Sequence, residues 1–343
     1  MTALRIIVVG AGLIGRQRAA AIESLAARHP IALAGVVDPR ADAADGLSAP
    51  HFRHLSEVPP GSFDAAVVAL PHDLSASTCL LILQAGCPVL VEKPLGTSGR
   101  EARTLAEAAA RLRIPSFVGY NYRFLPGVAA AVRALEDGSL GRLRTLDMLL
   151  AHGGNPRSAE GWKLQPERAG GGVILDPGVH LLDILLRIAP GVRCTAIAAT
   201  RGFWKTGIEE DAVALFEDDG LIATVRVSHI RWSNAFRIEL HGEDGYAIVD
   251  GRGGNYGNQT IRIGARWAWE AAGGRSQQET ESATDFGSEN RSLEQEVEAV
   301  VRRWLGEQPG GIEPATPAEA VAVAELCEEL YAKLADGDRA HRP

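Results

Sequence analysis

The stretch "IIVVGAGLIG", Ile6 to Gly15, limits what this chain can become more than any other. An apolar run ends in glycines spaced G-x-G-x-x-G, and a helical pattern begins at once. In a strand–turn–helix unit Gly10 permits the tight turn, Gly12 lets a pyrophosphate approach the backbone, and Gly15 lets helix and strand pack closely. The phosphates then meet the N–H groups at the helix start. The spacing alone is weak evidence, and its context strengthens it. A strand precedes it, a helix follows, and the next apolar run ends on an acid, Asp38 in "GVVDPR". Asp38 can accept hydrogen bonds from a ribose hydroxyl and repels a 2′-phosphate, which favours NAD. Arg40 is the alternative: a cation two residues on that could hold that phosphate and admit NADP.

The rest of the first third repeats the theme. "IALAGVVD", "DAAVVAL", "PVLVEKP" and "PSFVGYNY" read as strands, separated by helical patterns around Arg16–Arg28, up to Ala85, and over Arg100–Leu112. Near-continuous Val, Ile, Leu and Ala suit strands buried on both faces and joined by right-handed crossovers. The expected class is α/β, beginning with a doubly wound parallel sheet. The uncharged stretch Leu74–Val91 is broken by "QAGCP" into a soluble helix and a buried strand.

From Arg123 the texture changes. After a helix near Gly127–Asp137 come "RLRTLDMLLAH", "CTAIAAT", "DAVALFE", "LIATVRVSH", "FRIELHG" and "YAIVDG". In "FRIELHG" Phe236, Ile238 and Leu240 alternate with Arg237, Glu239 and His241, the period of a strand with one buried face. The turns "EDDG" and "GEDG" predict hairpins, hence a large, mainly antiparallel open sheet. A helix is expected near Val179–Ile188. Gly251–Ser292, carrying Trp267 and Trp269, reads as a long loop system. Two helices close the chain. One lines up Leu293, Val297, Val300, Val301 and Trp304, and the other opens with the capping box Thr316-Pro317-Ala318-Glu319. The division expected is residues 1–122, residues 123–336, and a frayed tail 337–343.

Composition narrows the partners. A formal charge of −8 gives no basic footprint for nucleic acid or an anionic membrane. The four cysteines are scattered without a C-x-x-C pair, which fits a reducing compartment and argues against structural zinc. The N-terminus enters a strand at once, so a cytoplasmic location is expected.

Two further stretches carry chemistry. In "VLVEKPLG" an apolar strand runs into Glu92, Lys93 and Pro94. If the strand is parallel, its carboxyl end lies where ligands bind in open α/β sheets. Glu92 and Lys93 then point to opposite faces. An ammonium at Lys93 could steady a substrate oxygen as charge develops on it, or it could simply be a solvated strand end. In "GGGVILDPGVHLLD", Asp176, His180 and Asp183 share one face if the segment is helical. His180 suits proton abstraction near neutral pH. Asp176 followed by Pro177 reads as a helix N-cap, which competes with a role in orienting His180. No Cys or His cluster accompanies these residues, so no metal is expected. His72, in "LPHD" after a strand, is a candidate for the cofactor crevice.

"GAGLIG", "EKPLG", "VGYNYRF" and "GGGVILDPGVHLLD", in this order, resemble the Gfo/Idh/MocA family of oxidoreductases. The resemblance implies a Rossmann domain followed by an α/β domain whose open sheet forms homodimer or homotetramer contacts. It also implies NAD(P)-dependent hydride exchange with a hydroxyl or ketone carbon of a sugar, inositol or related polyol. Lys93, Asp176 and His180 match the family's catalytic positions. Arg123, Trp162 and Lys163, with those three, match its substrate side. The cofactor set is Gly10, Gly12, Leu13, Ile14, Gly15, Asp38, Arg40, Pro71, His72, Glu92 and Lys93. Some relatives use transient oxidation to cleave glycosides, and a dinucleotide-sensing regulator with an idle site is a third possibility.

Overall fold

Strands without polar interruption need cover on both faces, and the first sheet provides it. A computed structural model describes residues 3–154, 161–266, 281–307 and 310–340, with the side chains of 337–340 left aside. Six strands, β1 (Leu4–Val9), β2 (Ile31–Val37), β3 (His51–Phe52), β4 (Ala65–Val68), β5 (Val89–Glu92) and β6 (Phe117–Gly119), form a sheet of order β3-β2-β1-β4-β5-β6. Every pairing in it is parallel. β4 is buried along its whole length, as are the last four residues of β1. Helices α1 (Leu13–Leu25), α2 (His72–Gln84) and α3 (Gly99–Leu112) make the crossovers. The order reverses between β1 and β4, so the glycine loop leaves the sheet at the switch point, where such folds open a crevice.

The chain divides into two compact units. The first comprises Met1–Asn121, Glu167–Gly170 and Arg291–Glu325, and the second Tyr122–Pro166, Gly171–Asn290 and Leu326–Pro343. Residues 291–325 therefore pack with the parallel sheet rather than with the segments preceding them. The reason is the apolar stripe read from the sequence. Val297, Val300 and Val301 are fully buried against α1 and the sheet, with Leu293 and Trp304 packed around them.

The second unit is built on strands β7 (Leu143–Ala151), β8 (Arg193–Arg201), β9 (Glu209–Asp218), β10 (Leu221–Ser228), β11 (Ala235–Gly242), β12 (Gly245–Asp250), β13 (Thr260–Ala265) and β14 (Glu281–Asp285). Their order is β14-β13-β12-β11-β7-β10-β9-β8. The pairings are antiparallel except for β7 with β10, which run parallel. Helices α4 (Pro126–Glu136) and α5 (Val179–Ile188) belong to this unit. Helix α6 spans Ser292–Trp304, and α7 spans Pro317–Ala340.

Three expectations are corrected. Gly251–Ser292 is not one long loop, because β13 and β14 extend the sheet within it. Its alternation, Ile261 and Ile263 about Arg262, is too short to stand out among glycines. Trp267 and Trp269 lie outside the described residues. Of the frayed tail expected at 337–343, residues 341–343 lie outside the described residues, and 337–340 continue α7 to Ala340. The capping box at its start is present: Thr316 Oγ1 accepts from the Glu319 N–H, while the Glu319 carboxylate accepts from the Thr316 N–H. Finally, the helix carrying His180 does not begin at Asp176. Its N-cap is Gly178, and the chain kinks through Ile174–Gly178 with Asp176 extended at φ −145°, ψ 105°.

Candidate active site

In the first unit the carboxyl edge of the parallel sheet collects most of the predicted cofactor residues. Gly10 has φ +89°, and a Cβ there would lie 2.4 Å from the Ala69 carbonyl oxygen. A Cβ on Gly15 would lie 1.8 Å from the Gly10 oxygen, so the helix and turn interlock as the motif requires. Around Gly12, by contrast, a Cβ would meet nothing. That open space lies at the N-cap of α1, where no side chain caps the helix, and Leu13 and Ile14 are exposed beside it. This is the shape a pyrophosphate needs. Asp38 directly follows β2, with its carboxylate accepting from the Ala11 N–H at 2.9 Å and the Arg40 N–H at 3.0 Å. Burial alone would raise its pKa, but Arg40 and these N–H groups outweigh burial and hold it below the usual carboxylate range. Arg40 is more than a solvated charge. Its Nε donates to Asp38 at 3.0 Å and its Nη2 to the Ala11 carbonyl at 2.6 Å, which closes the rim on which a ribose would rest.

Lys93 stands one residue beyond β5, half-buried, at the same edge as the glycine loop because the strands are parallel. Its bond to Pro94 is cis. The loop beyond it is braced, since Glu101 accepts from the Thr97 N–H at 2.7 Å while Ser98 caps α3. Glu92 points the other way, as the strand period demands. Its carboxylate accepts from Arg18 at 2.6 Å and 2.8 Å, and Arg18 also meets Glu296 of α6 at 2.5 Å. Burial works against the Arg18 charge, and the two carboxylates more than restore it, so its pKa is raised. Glu92 thus faces an internal ion network. His72 is buried. It is 4% exposed, with Nδ1 2.8 Å from the Ala169 carbonyl oxygen, while Pro71 before it is partly exposed.

The second unit gathers the other set. His180, in the first turn of α5, stacks on Tyr122 with ring centroids 4.0 Å apart and planes 6° from parallel. Burial pushes the Tyr122 hydroxyl up to about 12, so the ring is a neutral wall for the imidazole. Arg252 lies over Tyr122 and Tyr256, 5.1 Å and 3.9 Å from their centroids. Asp176 is freed from capping by the kink, and its carboxylate meets Lys163 Nζ at 2.5 Å. Lys163 and Trp162 share one short helical turn. Asp183 does not share a face with Asp176. It holds Arg123 through two bonds of 2.6 Å and 2.8 Å, both side chains almost fully buried. Arg123 therefore braces α5 internally.

The glycine run before Asp176 has a packing reason. Cβ atoms at Gly171 and Gly172 would lie 2.0 Å from the Tyr331 hydroxyl and 2.1 Å from the Glu209 carbonyl oxygen. Glu209, 3% exposed, accepts from the Gly172 and Ile174 N–H groups and from Tyr331 Oη at 2.7 Å. One carboxylate thereby fixes the approach to Asp176. Sequence reasoning overlooked His152 and His229. β7 and β10 end in register at Ala151 and Ser228, so the next residues emerge together with rings 4.2 Å apart. His152 Nδ1 accepts from the Gly154 N–H at 3.0 Å, which places the proton of the neutral ring on Nε2. Burial, aided by Arg252, lowers its pKa, while Asp176 pulls the other way. Among the described residues no group of three His, Cys, Asp or Glu side chains could hold a metal.

A parallel sheet with an open glycine turn, an acid on the next strand and a lysine at the shared edge defines a dinucleotide-binding oxidoreductase fold. Residues 4–120 match the family model described as an oxidoreductase family with an NAD-binding Rossmann fold, and residues 128–248 match the GFO/IDH/MocA C-terminal domain. The chain belongs to the Gfo/Idh/MocA family of oxidoreductases. It is 30% identical over 249 residues to a putative UDP-kanosamine synthase oxidoreductase subunit of Amycolatopsis mediterranei, covering 66% of this chain and 68% of that one. It is 31% identical over 119 residues to a levoglucosan dehydrogenase of Pseudarthrobacter phenanthrenivorans, covering 34% and 30%. The chain spans just over half the length of two further curated relatives, 56% of each. A solved levoglucosan dehydrogenase in complex with NADH and levoglucosan superposes with a TM-score of 0.82 at 17% identity, covering 98% of both chains, which speaks for the fold.

Proposed function

We propose that the protein is an NAD-dependent oxidoreductase that interconverts a hydroxyl and a ketone on a sugar, inositol or related polyol. The open space at Gly12, at the uncapped start of α1 and beside the Asp38 rim, carries the reading. Gly10, Gly12, Leu13, Ile14 and Gly15 would receive the pyrophosphate, and Asp38 a ribose hydroxyl once Arg40 gives way. NAD, when bound, supplies the hydride acceptor.

His180 takes the hydroxyl proton, positioned by the Tyr122 stack and by Asp176, whose carboxylate meets Lys163. Lys93 donates to a substrate oxygen as negative charge grows there. Trp162 and Lys163 contact the substrate beside Asp176. The protein works in the cytoplasm as a homodimer or homotetramer joined through the open sheet. The relatives named as sugar and inositol dehydrogenases support the substrate class.

Lys93→Met tests the assignment. Loss of one oxyanion donor lowers kcat by about 10²–10³-fold. NAD affinity by titration stays near the wild-type value. Turnover within a factor of two of wild type would contradict the role given to Lys93.

A further inference from the structure

Beside the His152–His229 pair lies an aromatic group that the proposed chemistry does not use. Phe203, Trp204 and Trp232 meet with centroids 5.0, 5.6 and 6.4 Å apart and planes inclined by 60° to 84°. Trp232 is 71% exposed and Phe203 55%. Large aromatic faces left together in water mark a binding surface more often than a packing accident.

The group is also built to hold its shape. The Phe203 and Trp204 N–H groups both donate to the Glu210 carboxylate, at 2.8 Å and 2.5 Å, and Glu210 is 3% exposed. Trp204 Nε1 donates to the His229 carbonyl at 3.2 Å, and the His229 N–H returns to the Glu210 carbonyl at 2.7 Å. Gly153 and Gly154 let the backbone touch the indoles, since Cβ atoms there would lie 2.8 Å from Trp232 and 2.9 Å from Trp204. The platform adjoins His152, since the Arg231 N–H, next to Trp232, donates to the His152 carbonyl at 3.2 Å and the Gly154 N–H donates to His152 Nδ1 at 3.0 Å.

We propose that Phe203, Trp204 and Trp232 form an outer carbohydrate subsite holding a second, non-reacting pyranose ring, so that the preferred substrate is a glycoside or an oligosaccharide unit. This rests on the reading of the protein as a sugar or polyol oxidoreductase. Aromatic faces carry negative quadrupole charge and attract the polarised C–H groups of a pyranose. The steep angles among the three rings leave no parallel slot for a flat nucleobase, while a puckered ring offers C–H groups to each face. Rigid aromatics also lose little freedom on binding.

The test uses the full chain loaded with NADH, so that nothing is turned over, and saturation-transfer NMR with cellobiose, maltose, glucose and myo-inositol. A disaccharide is expected to bind about 10-fold more tightly than glucose, with saturation on both of its rings. Trp232→Ala and Phe203→Ala should each remove that gain while leaving glucose unchanged. Equal affinity for one and two rings overturns the subsite, as does a gain that survives both variants. A loss of dimer on sedimentation with sugar binding unaltered assigns the patch to a second copy instead. UDP-glucose binding that is strongly salt-dependent, through the exposed Lys205 and Arg231, likewise overturns it. Two-ring binding without NADH formation from NAD and any sugar defeats the hydride-transfer reading alone. NADH formation from monosaccharides without a two-ring gain defeats the subsite alone.

Discussion

The two sheets bury themselves by opposite rules. β4 is buried at every residue, whereas β10 alternates buried and less buried positions for most of its length and β8 is largely exposed. In the first sheet neither face is left for chemistry, so binding groups gather at strand ends, and most of them are backbone. In the second, one face is spare and the side chains of interest sit off the sheet, His180 on α5 and the others on loops such as those leaving β7, β8 and β10. The first region should therefore fail through its internal charges and turns, and the second through individual side chains.

Arg18→Met should break the first region most severely. It leaves Glu92 and Glu296 without their shared guanidinium, and stripping one partner from a buried ion pair costs about 3–5 kcal/mol. Urea unfolding followed by NAD binding is the measurement, and a shift below 1 kcal/mol would remove the network from the stability of that unit. Next in size is Asp38→Asn. Weakening a charged hydrogen bond by about 1.5–3 kcal/mol should raise the KM for NAD on the order of 10- to 100-fold, and NADP should gain relative to NAD as the repelling charge disappears.

His152→Asn gives the smallest effect. The Asn side-chain oxygen can still accept from the Gly154 N–H. Because the folded pKa of His152 is depressed, its contribution to stability is present above about pH 6.5 and fades as pH falls through the lower folded value. The variant should show a flatter stability profile below about pH 6.5 in the same unfolding assay.

What could be read beforehand follows the same division. Gly10, Gly12 and Gly15, the stripe Val297-Val300-Val301 and the Thr316–Glu319 box are local patterns, complete within a few residues. The Arg123–Asp183 bond joins residues sixty apart, and the Arg18–Glu92–Glu296 cluster joins three distant segments. No spacing announces such partners. The kink at Asp176 escaped because Asp-Pro before a helix is also how a cap is written. β13 escaped because its apolar alternation lasts one period, and β14, Glu-Ser-Ala-Thr-Asp, has none.

The parallel pairing of β7 with β10 has an outcome for evolution and engineering alike. Two strands that run side by side in the same direction deliver their next residues as twins, and here the twins are imidazoles. Adding or deleting a single residue anywhere along either strand would slide one twin past the other. The centre could thus be dismantled from a position far beneath it, with every atom of both rings still present.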